Sequence, residues 1–99
     1  MIIELEGSID SMTAPNIQGQ VLELWGNHPM VILNLEKVDY LSSAGLRMLL
    51  VLYRQVKALN GKVCLVGIVE EIKDVMTNTG FISFFIIANT LEEGITAIS

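Results

Sequence analysis

The chain has 99 residues, 52% hydrophobic and 17% charged, which is enough apolar side chain for one core and too little length for a second domain or a repeat array. Six Lys and Arg against eleven Asp and Glu give a net charge of -5, a balance that repels a phosphate backbone and excludes nucleic acid as an expected partner. The single cysteine, Cys64, leaves no internal disulfide and no multi-cysteine metal site. With no secretory leader and no apolar run long enough for membrane insertion, the reading is a cytoplasmic module.

Ile2, Ile3 and Leu5 before Gly7 predict a short strand. Thr13-Ala14-Pro15 supplies a capping hydroxyl and a first-turn proline, so a helix follows, with Ile17, Val21, Leu24 and Trp25 on its apolar face. Gly26-Asn27-His28-Pro29 ends it. Residues 30–35 form a nearly uninterrupted apolar run with β-branched Val31 and Ile32, the pattern of a strand buried on both faces. Residues 36–39 read as a polar connection. Leu41-Ser42-Ser43-Ala44-Gly45 then leads into a second helix, with Leu46, Leu49, Leu50 and Tyr53 on one face and a stop at Asn60-Gly61.

Residues 62–68 predict a third strand, 70–79 a helix stopped by Gly80, and 82–88 a fourth strand. Thr90 and Glu93 stand at capping-box spacing, opening a final helix that runs almost to Ser99. The alternation implies an α/β fold in which a mostly parallel or mixed four-stranded sheet carries the helices, in one domain over residues 1–99.

Chemistry for catalysis is sparse. The lone histidine, His28, sits in a turn without a neighbouring carboxylate or cysteine. Cys64 lies inside an apolar strand, where a neutral thiol is the ordinary state. No metal-ligand spacing, Walker-type loop or dinucleotide fingerprint occurs, so no cofactor and no enzyme are expected. Glu70, Glu71 and Asp74 fall in the first turns of a predicted helix, where negative charge suits the dipole. The informative segment is the serine pair at the strand-to-helix turn. Capping explains a serine there, but in a parallel sheet such turns also face the usual functional edge.

The run Asn34-Leu35-Glu36-Lys37-Val38-Asp39-Tyr40-Leu41-Ser42-Ser43-Ala44-Gly45-Leu46 resembles the signature of STAS domains, in particular the small single-domain anti-sigma factor antagonists. Glu6-Gly7-Ser8-Ile9-Asp10 with Thr13-Ala14 is similar to the family's early Gly-x-x-Asp loop and first helix, Asn60-Gly61 to its Asn-Gly turn, and Thr90-Leu91-Glu92-Glu93-Gly94-Ile95 to its ending. The resemblance implies a STAS fold across nearly the whole chain. It also implies a partner switch. The serine two residues before the glycine, Ser43, would be phosphorylated by an anti-sigma factor serine kinase, and a serine phosphatase would restore the binding form.

Partner contact would fall on Asp10, Thr13, Ser42, Ser43, Ala44, Gly45, Leu46 and Arg47, with Ser42 a competing phosphoacceptor. Three positions depart from the family pattern. Ser42 and Ala44 flank the acceptor where Asp and Ser or Thr are usual, and Asn34 replaces an Asp. The chain begins where the family's second strand would stand, which leaves the edge near Ile2 and Ile3 open to pairing, as in a homodimer. The alternative is a non-switching STAS scaffold subunit of a lipid-transport or sensory complex, in which Ser43 merely caps the helix.

Overall fold

The computed structural model describes residues 1–98. The elements run β1 (Ile2–Ile9), α1 (Ala14–Trp25), β2 (Met30–Leu41), α2 (Ser43–Lys57), β3 (Lys62–Val66), α3 (Glu70–Thr79), a 3-10 turn (Phe81–Phe84), β4 (Ile86–Ala88) and α4 (Leu91–Ile98). The four strands pair in the order β1-β2-β3-β4, and every pair is parallel. The expected α/β sheet is therefore present, with no antiparallel member among the described strands.

Alternation within the central strands sorts the core into two layers. Val31, Leu33, Val63 and Leu65 point to one face with Ile3 and Leu5, where Val21 and Trp25 of α1, Leu49 and Leu52 of α2, and Met76 of α3 meet them. Ile32, Cys64 and Val66 point to the other face against Ala88 and Ile98. There α4 packs on β2, β3 and β4, and its start is the expected capping box: the Thr90 N–H donates to Glu93 Oε2 at 3.1 Å and the Glu93 N–H to Thr90 Oγ1 at 3.2 Å. Ile2 remains 49% exposed and Met30 43% exposed beside this layer, apolar surface that a domain of this size cannot hide.

Several local expectations give way to the structure: the third strand, expected over 62–68, ends at Val66, and Leu24 of α1 is 58% exposed instead of packed inward. The segment read as a polar connection is strand, because β2 runs on to Leu41 beside β1 with two register shifts. Between Glu4 and Glu6 the partners step from Asn34 to Lys37, and between Gly7 and Ser8 from Val38 to Tyr40. Each shift absorbs one extra residue of β2, so its buried positions become Leu35, Val38 and Leu41, three apart instead of two. Gly7 lies within β1 at the second shift, with a φ of 85° that only glycine adopts freely.

The fourth strand is shorter than the apolar run that suggested it, since residues 81–84 wind into a 3-10 turn that brings Phe84 and Phe85 against Tyr53, with centroids 5.3 and 5.5 Å away. The stop after α2 falls at Asn60-Gly61 as expected, with Asn60 in the left-handed region at φ 58°. Thr13 does not cap α1 with its hydroxyl; its other engagement is described with the site.

Candidate functional site

β1 and β2 are neighbours and parallel, so the turns that leave them emerge together at one edge of the sheet. They are joined directly: the Ser42 N–H donates to the Ile9 carbonyl at 2.9 Å, and the Ser8 hydroxyl donates to Asp39 Oδ1 at 3.1 Å. The structure thus brings together the two segments, around Asp10 and around Ser43, that the sequence reading paired.

The first turn is held by Asp10. Its Oδ1 accepts the N–H groups of Met12 at 2.9 Å and Thr13 at 3.0 Å, while its carbonyl accepts the Ala14 N–H at 2.8 Å. These are the donors that a helix start leaves unpaired. Hydrogen bonds from the Thr13 and then the Met12 backbone hold the Asp10 carboxyl below its ordinary range, because they favour the charged form. Thr13 is used the other way round from a cap. Its Oγ1 accepts the Asp10 N–H at 2.9 Å and faces the Ser8 carbonyl as donor at 3.0 Å. Asp10 and Thr13 therefore brace the loop, and no hydrogen bond joins either to Ser43 among the described residues.

The second turn divides its two serines by role. Ser42 has extended backbone, φ -81° and ψ 178°, and its Oγ accepts the Gly45 N–H at 3.4 Å, so it is the N-cap of α2 and half-buried. Ser43, which the scaffold alternative makes the cap, is instead the first residue of the helix and exposed. Among the described residues its hydroxyl is hydrogen-bonded to Arg47, whose Nη2 donates to Ser43 Oγ at 3.5 Å while Nε donates to the Ser43 carbonyl at 3.4 Å.

Beneath the pair, Gly45 and Leu46 are buried and Ala44 half-buried. A Cβ on Gly45 would collide with Leu41 Cδ1 and stand 3.0 Å from Ile9 Cγ2; the glycine lets the first turn of α2 sit directly on the ends of β1 and β2. Gly45 and Leu46 seat the turn, and Ser43 and Arg47 present it.

Sequence reasoning missed the ground beside this turn. A groove of about 220 Å³ lies between the end of β2 and α3, lined by Asp39, Tyr40, Leu41, Glu71, Ile72 and Val75, with Tyr40 54% exposed. Reading residues 36–39 as a connection hides its signal. Elsewhere the expected bland roles hold. The His28 carbonyl accepts Trp25 Nε1–H at 2.7 Å in an exposed turn. Cys64 is fully buried, and loss of solvation pushes its thiol pKa up. No helix among the described residues is long and apolar enough to cross a membrane.

Comparison with known proteins gives this arrangement a family. Residues 1–94 match the STAS domain model. A Bordetella bronchiseptica protein named as a candidate anti-sigma factor antagonist, BtrV, is 30% identical over 98 residues, covering 98% of this chain and 84% of that one. The crystal structure of an anti-sigma factor antagonist from Mycobacterium paratuberculosis superposes with a TM-score of 0.87 at 24% identity, covering 98% of this chain and 83% of that one. The anti-sigma factor antagonist SpoIIAA of Bacillus, in its phosphorylated form, superposes with a TM-score of 0.73 at 22% identity, over 99% of this chain and 89% of that one. The parallel sheet, the serine turn at its edge and the family match along nearly the whole sequence agree: the chain belongs to the STAS domain family.

Proposed function

We propose that the protein is an anti-sigma factor antagonist that works as a partner switch set by phosphorylation of Ser43. The observation that carries this reading is the division of labour in the turn: Ser42 is committed to capping α2, while Ser43 stands exposed at the edge with its hydroxyl available. The similarity to BtrV supports the antagonist role, and the existence of a phosphorylated form of the structurally similar SpoIIAA supports the modification.

In this reading the unmodified protein docks its serine edge on an anti-sigma factor serine kinase. The Ser43 oxygen attacks the terminal phosphoryl group of the kinase's nucleoside triphosphate, the diphosphate leaves, and the hydroxyl proton passes to a base on the kinase. The antagonist is the substrate and supplies no catalytic group. A phosphoserine carries about -1.5 to -2 charges, beside a helix start whose N–H groups favour an anion by about 0.3–1 kcal/mol, so α2 tolerates it. The interface does not. A bulky dianion in place of a small hydroxyl costs contact and desolvation, and about 1.4 kcal/mol of loss already weakens binding tenfold. A serine phosphatase restores the hydroxyl and the binding form.

The experiment is recovery of the protein from its own cells with bound partners, followed by peptide mass spectrometry. Phosphate on Ser43, with a kinase retained only by unmodified protein and by Ser43→Ala, is the expected result. Phosphate on Ser42 instead, or none under any growth condition, would overturn the proposal.

A further inference from the structure

Arg47 is the one Lys or Arg in residues 43–50, the first two turns of α2. It lies four residues after Ser43, on the same helix face one turn on, and both side chains are exposed. Its two contacts with Ser43, at 3.4 and 3.5 Å, are at the long limit of hydrogen bonding, so they hold the guanidinium near the hydroxyl without committing it. The other cations near the switch edge or on this helix are placed otherwise: Lys37 pairs with Glu4 at 3.3 Å, and Arg54 and Lys57 stand in the last turn of α2.

We propose that Arg47 is the counter-ion of the modified Ser43, a positioning residue that grips the phosphoryl group within the same chain. This rests on the assignment of Ser43 as phosphoacceptor. A phosphoryl group on Oγ extends into the space where Nη2 already donates, and its three oxygens offer a guanidinium two parallel, charge-assisted bonds where the hydroxyl offers one weak one. Modification therefore changes two features of the docking edge together. The small hydroxyl is lost, and the exposed guanidinium beside it is drawn onto the phosphate, so a carboxylate on the partner that met Arg47 loses its mate. In a chain of net charge -5, the same contact limits the repulsion that the added dianion brings to its own surface.

The test installs phosphoserine at position 43 of the full chain by genetic encoding, so that no kinase is required, in the parent sequence, Arg47→Gln and Arg47→Lys. Phosphorus NMR then follows the second ionisation of the phosphate, ordinarily near pH 6. The parent should ionise about half a unit lower than Arg47→Gln at low salt, with Arg47→Lys between them because ammonium is a point charge without the fork. The difference should shrink in 1 M salt, where the Debye length is about 3 Å. A merely structural arginine would leave the titration unmoved. Equal midpoints for the parent and Arg47→Gln at low salt would overturn the proposal. Failure of the switch reading shows separately, as unmodified Ser43 in protein from native cells.

Discussion

Replacing each serine of the turn by alanine separates cap from phosphoacceptor. Ser42→Ala removes the side-chain acceptor of the Gly45 N–H and leaves that donor in a half-buried turn. An N-cap serine is worth about 0.5–2 kcal/mol, and a bond of 3.4 Å belongs at the low end, so the loss should be about 0.5–1 kcal/mol. For a domain of this size each kcal/mol moves the melting temperature by about 4–8 °C, which gives a fall of roughly 2–8 °C. Ser43→Ala should not follow it. The residue is exposed in the first turn, surface changes of this kind stay within about 0.5 kcal/mol, and alanine is the better helix former. Thermal unfolding followed by far-ultraviolet circular dichroism reads both variants, and incubation with the kinase of the proposed switch reads the second consequence: Ser42→Ala should still take phosphate and Ser43→Ala should not. A fall in melting temperature for Ser43→Ala with Ser42→Ala unchanged from the parent, or phosphate taken by Ser43→Ala and not by Ser42→Ala, would refute the assignment of the two roles.

Gly45→Ala forces a Cβ against Leu41 and Ile9, and overpacking of this kind should cost about 1–3 kcal/mol and weaken partner binding as the turn shifts; denaturant unfolding with a binding assay measures both. Asp10→Asn should reduce stability at pH 7, because the folded-state carboxyl is held below its unfolded value of about 3.9 by the Thr13 and Met12 N–H groups. A depressed acid stabilises the fold above its unfolded pKa and loses that contribution as pH falls through the folded one. The parent and Asp10→Asn should therefore converge in acid, and urea titrations from pH 7 to pH 2 would show whether they do. Cys64, fully buried and with its thiolate disfavoured, should resist a thiol reagent in the native state and react only on unfolding.

What was legible in the sequence follows what physical chemistry makes local. The uninterrupted run at Val31, Ile32 and Leu33 declares two buried faces without any knowledge of the partners, and the Thr90–Glu93 box declares its own helix start. The extension of β2 is not local in this sense. Its buried residues Leu35, Val38 and Leu41 recur every third position, a spacing that matches neither strand nor helix until the pairing with β1 shows where the extra residues go. Thr13 was misread for a related reason. A hydroxyl before a proline suits a cap, but the Thr13 hydroxyl is taken by the Asp10 N–H and the Ser8 carbonyl, in a turn that the Asp10 carboxylate shapes by accepting the Met12 and Thr13 N–H groups. The shortened β4 reflects tertiary packing, since Phe84 and Phe85 turn toward Tyr53 of α2.

The shifts in β2 connect fold to function. Extra residues in one strand of a pair bend it and increase its twist, and here they allow Leu41 to end β2 buried beside Ile9 while the next residue already caps a helix. Everything that seats the turn then lies below it: Leu41, Gly45 and Leu46 in the core, and the Ile9 carbonyl holding the Ser42 N–H. Above it stand the exposed side chains of Ser43 and Arg47, on which the proposed switch turns. The proposed switch needs no second conformation of the sheet, because among the described residues the Ser43 hydroxyl is hydrogen-bonded to Arg47 and not to the core. Phosphorylated and unmodified protein should accordingly give the same amide chemical shifts throughout β3 and β4, with changes confined to the two turns and the first turns of α1 and α2. A rearrangement reaching the far strands would mean that Ser43 reports on the core after all.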